Sequence, residues 1–399
     1  MRVLLLDTNI ASYPIYKVLR KRGFNVFVAG NREEDFLVKV AGVSNFIELD
    51  YSIPQDVITA SKKYNFDFVV PGCNDVSFMS AALVNENSGY RLNIDSVDTT
   101  EIINNKSLFK SLSNSIGIPI PKVYSEAEIF EMKVSEFLIK PTNSYSGQGI
   151  SRINSDSVDN ISLEIDKANS LFGKNNIIFE EYISGQLYSY SCFLNSRNEI
   201  VKEFLVEENC LIHPYSVDFS FLVDFNVVYF KDELGSLKIK IQSLAQNLNL
   251  TCGLIHIQFI YDSKEGIKVL EMTRRCPGDL YSLLIEKSTG FNYAEAYISC
   301  FFDQLHRFST DYCTYIKPII RQTLKLLPSH LFLSAIINVP ENVKNVDFFV
   351  HEKSGFSNFN LNPARVGIIF YETNSYSDLE TIKSYAINNR FTKLNNFND

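Results

Sequence analysis

A chain of 399 residues is long enough for two or three domains, and a composition 45% hydrophobic and 21% charged excludes an intrinsically disordered protein. The net charge of −8 excludes a general electrostatic attraction to nucleic acid or to an anionic membrane surface, leaving only local basic pockets. The first apolar run, in MRVLLLD, is too short for a signal segment or a membrane span, and no later run approaches a span's length. Cys73, Cys192, Cys210, Cys252, Cys276, Cys300 and Cys313 are scattered and include no CxxC pair, which suits reduced thiols in a cytoplasmic protein. The histidines show no ligand spacing with them, which argues against structural zinc.

In chain order, Val3 to Leu6 read as a strand, and Pro14 opens a helix with Ile15, Val18 and Leu19 on one face that stops at Gly23. Val26 to Ala29 form a second strand. The helical stretch Asp56 to Tyr64, the strand Phe66 to Val70 and the turn Pro71 to Asp75 follow. Such alternation predicts a parallel βαβ sheet, whose strand ends nominate Asp7, Thr8, Asn9, Asn74 and Asp75 as ligand-facing. Any one of these also fits an ordinary turn former. The loop DTNIASYP lacks GxGxxG, which disfavours a nicotinamide enzyme.

TTEIINNKSLFKSLSNSIGIPIPKVY contains a helix anchored by Ile103, Leu108 and Leu112 and ended by Gly117. Lys106 lies near its start, where the helix dipole is positive, so it is either a solvated surface cation or one that a phosphate neutralises. The strand Phe137 to Lys140 runs into PTNSYSGQGI, small and hydroxylated, with Gly147 and Gly149. Backbone N–H groups of such a loop can wrap an anion beside Lys140, although a plain glycine-rich hairpin also fits. It is not a Walker A loop. Ile177 to Phe179 form a strand leading into EEYISG (180–185), with further strands at 188–194 and 200–206. A loop is expected over 207–221, where His213 and Tyr215 could face an acceptor pocket. The helix Ser236 to Leu248 carries Leu237, Ile241, Leu244 and Leu248 on one face.

GLIHIQFIYDSKEGIKVLEMTRRCPGD (253–279) reads as a hairpin. Period-two geometry places His256, Gln258 and Ile260 on one face of its first strand and Glu271, Thr273 and Arg275 on one face of the second. A carboxylate, an amide, a hydroxyl and a guanidinium there suit Mg²⁺ beside phosphate, while a half-solvated hairpin accounts for them equally well. A helix from near Gly278 to Gly290 offers N-terminal amides for an anion. His306 and Arg307 fall in a surface segment. From about Cys313 the chain reads mostly as β, with FFVHE and RVGIIFYE, then a helix 378–387 and a disordered tail after Lys393.

In this order the motifs resemble the ATP-grasp superfamily of ligases, over residues 1–390 in architecture and about a tenth of the chain in specific motifs. The resemblance implies an α/β and α+β protein with a Rossmann-like N-terminal domain (1–103). It implies an ATP-grasp central domain (104–312) with a mobile lid (about 122–180), and a small C-terminal β-rich domain (313–399). It implies ATP and Mg²⁺, with Mn²⁺ as a substitute, small-molecule carboxylate and amine substrates, and allows a homodimer. NNKSLFKSL resembles the segment whose lysine, Lys106, meets ATP phosphate. FLIKPTNSYSGQGI resembles the lid strand and flap, with Lys140 on the phosphates and Ser146, Gly147 and Gly149 in the flap.

IIFEEYISG resembles the adenine hinge, which implies that Glu180 faces the amino group and that Tyr182 and Ile183 line or hydrogen-bond the base by backbone, with Glu181 also in the ATP site. VLEMTRRCPGD resembles the Glu-x-Asn-x-Arg signature, making Glu271 the metal-bridging carboxylate and Arg275 the clamp on an acyl phosphate or carboxylate, beside Gly278. Three departures stand out: Gln258 and Thr273 replace an acidic residue and an Asn among the implied metal ligands, and Leu187 replaces a ribose-binding acid. Asn74, Asp75 and His213 are candidate substrate contacts. The implied activity is ATP-dependent carboxylate–amine ligation through an acyl phosphate. The alternatives are a bicarbonate-dependent carboxylase or carbamoyl-type enzyme, and a nucleotide-binding module weakened in catalysis.

Overall fold

The computed structural model describes residues 1–89, 92–142, 149–174, 176–211, 215–302, 316–326, 334–337, 343–350, 364–387 and 392–395. The N-terminal part alternates β1 (Arg2–Leu6), α1 (Tyr13–Lys21), β2 (Asn25–Gly30), α2 (Phe36–Ala41), β3 (Phe46–Glu48), α3 (Pro54–Tyr64), β4 (Phe68–Pro71) and α4 (Asp75–Ser88). The strands are parallel in the order β3-β2-β1-β4. A parallel sheet is covered on both faces, which explains the unbroken apolar run Val3–Leu6, all fully buried. The carboxyl ends of β1 and β4 point one way and carry Asp7 and Asn74 to one rim.

The helix expected around Ile103 to Leu112 is two helices, α5 (Val97–Asn104) and α6 (Lys106–Ile116). Asn105 breaks them: its side chain accepts hydrogen bonds from Ser107 N and Leu108 N and so caps α6. The break rotates the apolar face, so Phe109 is buried and Leu108 is exposed. Next, β5 (Val123–Tyr124), α7 (Glu126–Glu131), β6 (Glu136–Pro141), β7 (Ser151–Asn154), α8 (Val158–Phe172) and β8 (Ile177–Glu181) form an antiparallel sheet ordered β5-β8-β6-β7. It has its own small core, with Phe137, Ile139, Ile161, Ile165 and Phe179 at its centre.

The largest sheet contains β9 (Gln186–Leu194), β10 (Ile200–Asn209), β11 (Phe219–Val223), β12 (Gly253–Asp262) and β13 (Gly266–Thr273), with α9 (Lys231–Asn247) between β11 and β12. The 207–221 expectation is corrected here. Glu207, Glu208 and Asn209 continue β10, because their backbones pair with Tyr188 and Leu187 on one side and with β11 on the other. Helix α9 starts earlier than expected and packs Leu237, Ile241 and Leu244 against Ile255, Ile257 and Phe259 of the hairpin. Helix α10 (Tyr281–Thr289) starts after, not at, Gly278, because Asp279 and Leu280 take left-handed backbone angles (φ 54° and 55°); α11 (Tyr293–Phe301) follows.

Of the C-terminal strands β14 (Ile319–Leu326), β15 (Ser334–Ile337), β16 (Val343–Val350), β17 (Ala364–Thr373) and β18 (Thr392–Asn395), three extend the central sheet. Its order is β13-β12-β9-β10-β11-β14-β17-β16. β15 pairs with β18, so Leu394 and Asn395 are strand residues where a disordered tail was expected. α12 (Ser377–Ile387) buries Leu379 and Ile382. His306 and Arg307 lie outside the described residues, and among these no helix is long and apolar enough to cross a membrane.

Gly72, beyond β4, shows how tightly the N-terminal rim is built. A Cβ there would lie 2.3 Å from Asp7 Cβ and 2.7 Å from Ser12 Oγ. Gly72→Ala is therefore expected to lower unfolding free energy by about 1–3 kcal/mol through overpacking, measured by urea denaturation. A wild-type midpoint would contradict this packing.

Candidate active site

A cleft of about 950 Å³ opens between the N-terminal sheet, the β5-β8-β6-β7 sheet and the largest sheet. Asp7 lines its N-terminal rim and is buried, accepting hydrogen bonds from Asn9 N (2.9 Å), Ser12 Oγ (2.7 Å) and Cys73 N (3.2 Å). Burial pushes its carboxyl pKa up, and these bonds only partly offset it. Asn74 caps α4 by accepting from Ser77 N (2.8 Å) and donates its amide to Tyr51 Oη (3.2 Å). Asp75, the first residue of α4, accepts from Thr273 Oγ1 (2.9 Å) and from Arg275 Nε (3.0 Å) and Nη2 (3.4 Å). Burial works against the Asp75 charge, but Arg275 and Thr273 outweigh it and hold the carboxyl below its usual range.

The lid side is organised by Glu180, buried at the end of β8 and ion-paired to both Lys140 and Lys110. Burial alone would raise its pKa; the two ammonium groups more than reverse this and lower it. Lys110 was not singled out from sequence, yet it follows Lys106 by one helical turn and so shares its face. Lys106 Nζ donates to Pro141 O (3.1 Å), tying α6 to the end of β6. Burial lowers the Lys106 pKa, with Glu271 opposing that shift and Lys140 adding to it. Tyr182, just beyond β8, lies under the Arg152 guanidinium of β7, 3.7 Å from its ring centroid.

The floor is the β12–β13 hairpin. Gln258 pairs across it with Glu271, and a register shift between Gln258 and Phe259 leaves Leu270 as the extra residue. Such a bulge re-aims neighbouring side chains, and Leu270 and Glu271 both line the cleft. Gln258 Nε2 donates to Glu208 Oε2 (2.6 Å). His256 Nδ1 is 2.8 Å from Ser191 Oγ, and burial first, then Arg275 and Arg321, hold its pKa well below the usual value, so the ring is neutral. Arg321 is buried, donates Nη1 to Asp279 O (3.0 Å) and faces the same cleft.

Of the residues nominated from sequence, Asn74, Asp75, Lys106, Lys140, Glu180, Glu181, Tyr182, Ile183, Gln258, Glu271, Arg275 and Gly278 line this one cleft. Ser146, Gly147 and His213 lie outside the described residues. Gly149 adopts φ +73°, where an added Cβ would meet Phe172 Cζ at 2.6 Å, and it is not part of the lining. Thr273 is also off the lining, because its hydroxyl is turned to Asp75. Glu208 and Arg321 were missed. Glu208 sat in a stretch read as loop, and Arg321 lies in a C-terminal strand, Ile319–Leu326, for which the sequence offered no site motif.

For a divalent cation the floor offers oxygen donors. Among the described residues the Glu271 carboxylate makes no hydrogen bond or salt bridge, and Gln258 supplies an amide opposite it. This hard, incomplete donor set fits Mg²⁺ whose remaining ligands are phosphate and water. No cluster of three or more His, Cys, Asp or Glu suited to a metal occurs among the described residues, so the protein alone does not form a closed cage.

No family model matches the chain, and comparison with curated proteins finds no match. Solved structures do match over nearly the whole length. An L-amino acid ligase from Bacillus licheniformis has a TM-score of 0.76 at 15% identity, covering 99% of both chains. A 2-oxoglutarate carboxylase biotin carboxylase domain from Hydrogenobacter thermophilus, in complex with MgADP, ADP and bicarbonate, has 0.75 at 13%, covering 99% of this chain and 90% of that one. A phosphoribosylglycinamide synthetase from Anaerococcus prevotii has 0.73 at 14%, covering 99% of both. The fold is that of the ATP-grasp ligases.

The buried Lys140–Glu180–Lys110 cluster yields a stability prediction. Glu180→Gln leaves two buried ammonium groups without a counter-charge and should cost about 3–5 kcal/mol. Because folding lowers the Glu180 pKa, its contribution is full above the unfolded value of 4.5 and is lost as pH falls through the folded value. Urea denaturation of both proteins from pH 7 downward should therefore show the gap narrowing only below about pH 4.5. A gap that stays constant throughout would contradict it.

Proposed function

We propose that the protein is an ATP-dependent ligase joining a carboxylate to an amine through an acyl phosphate. The observation that carries the reading is the convergence of Lys106, Lys140, Glu271 and Arg275, from three separate elements, on one cleft. The fold shared with an L-amino acid ligase and a phosphoribosylglycinamide synthetase supports the same class of reaction.

In this reading the backbone of residues 181–183 receives the adenine, with Tyr182 held flat by Arg152. Lys106 and Lys140 meet the phosphates. Lys140 spends one of its donors on Glu180 and keeps others, and the Glu180 carboxylate is its buried counter-charge. Charge spreading over the transferring phosphoryl group is stabilised by both ammonium groups. Mg²⁺, or Mn²⁺ in its place, would be held by Glu271 and Gln258 and would neutralise charge on the β- and γ-phosphates. Thr273 acts at one remove, by fixing Asp75.

A substrate carboxylate oxygen attacks the γ-phosphorus, the bond to the β-phosphate oxygen breaks, and ADP leaves. Arg275 gives Nε and Nη2 to Asp75 and retains Nη1 for the acyl phosphate. The amine then attacks the acyl carbon, releasing phosphate and forming the amide.

Screening paired carboxylates and amines for ADP release tests the reading. Turnover is expected only when both are present, and Glu271→Ala or Lys140→Ala should reduce it about 10²–10³-fold. ADP release that requires bicarbonate and no other carboxylate would replace this reading with carboxylation. ATP binding without turnover under every pairing would replace it with a nucleotide-binding module.

A further inference from the structure

We propose that Glu208 is the positioning residue that turns Gln258 into an oriented oxygen donor for the divalent cation and returns to the site the negative charge that an amide lacks; this rests on the ligase reading above. A glutamine amide is ambivalent. Its oxygen attracts a cation and its NH₂ group repels one, so a free amide beside Glu271 would turn its nitrogen toward that carboxylate. In this structure the nitrogen is engaged elsewhere, donating to Glu208 Oε2 at 2.6 Å, a short, charge-assisted bond. With Nε2 fixed on Glu208, Oε1 is the end left for the cross-strand partner Glu271 and for a cation there.

The sheet explains why Glu208 can do this. β9 lies between β12 and β10, pairing Ser189 with Gln258 on one side and Leu187 with Glu208 on the other. Gln258 and Glu208 are therefore diagonal neighbours on one face, and the intervening Ser189 is small enough for them to meet over it. Glu208 is buried, lines the cleft and has no salt bridge within 4.0 Å among the described residues. Ser220 and then Arg321 continue its row across β11 and β14. Glu208 is thus held by the sheet itself, and its charge reaches the cation through the Gln258 amide. Outer carboxylates of this kind set the orientation and basicity of inner ligands.

Mn²⁺ with ADP is the probe, with free Mn²⁺ followed by electron paramagnetic resonance during titration. Glu208→Gln should raise the Mn²⁺ dissociation constant about 10–100-fold, the range for loss of an outer-shell partner. The exchanged pair Glu208→Gln with Gln258→Glu moves the carboxylate onto the inner position and should return affinity to within a few-fold of wild type. ADP affinity without metal and the thermal midpoint should stay unchanged, which a merely structural role for Glu208 would not allow. If Glu208→Gln fails to fold, Glu208→Asp serves: it keeps the charge but withdraws the acceptor from Nε2, and should weaken Mn²⁺ binding measurably.

Wild-type affinity in either single variant, or an exchanged pair as weak as Glu208→Gln, would overturn the inference alone. A wild-type protein that binds no Mn²⁺ in the presence of ADP would overturn the ligase reading with it.

Discussion

Asp75 is the point at which the two halves of the molecule are joined chemically. It opens α4 at the rim of the N-terminal sheet, and its carboxylate accepts from Thr273 and Arg275 at the end of the hairpin, about two hundred residues later in the chain. A carboxylate at a helix N-terminus already interacts favourably with the helix dipole. The guanidinium then fixes it from the opposite side. This contact ties the rim of the N-terminal sheet to the floor of the cleft, beside a shared apolar core that runs from Val3–Leu6 to Phe193, Tyr281 and Tyr297. It also settles what the hairpin side chains are free to do: Thr273 is committed to the joint, Arg275 is half committed, and Glu271 is not.

A second joint lies close by and is drier. Arg274 points away from the cleft, where Asp95 accepts from its Nε at 2.6 Å and Leu254 O and Thr251 O accept from its remaining donors. The neighbouring arginines, just beyond the end of β13, divide the work: Arg274 is a buried structural clamp and Arg275 faces the site. Glu180 plays the corresponding part on the lid side, where one carboxylate holds two lysines from different elements. Arg274 with Asp95, and Glu180 with its two lysines, are buried with their counter-charges, which is the condition under which charge is tolerated away from water.

The hairpin was readable because period-two alternation is a local property. His256, Gln258 and Ile260 fall on the cleft as alternation requires, since register errors would have exposed the apolar set Ile255, Ile257 and Phe259 to water. The α5–α6 boundary was not readable from the apolar spacing alone, because the decisive group was the Asn105 side chain competing for backbone N–H groups. Glu208 was hidden for a related reason. A strand whose outer half carries Glu-Glu-Asn looks like a loop until its partners on both sides are known.

Local sequence already carried the order of the elements, the parallel N-terminal sheet, the hairpin and many of the residue types that line the cleft. All of these follow from local periodicity and from the dihedral demands of Gly, Pro and Asn. Tertiary structure alone decided which charges meet: Asp75 with Arg275, Glu180 with both Lys140 and Lys110, and Glu208 with Gln258. These pairs join residues 40 to 200 positions apart. Side-chain reach is a few ångströms, so only the packing of whole sheets can select one counter-charge among the many that a sequence offers.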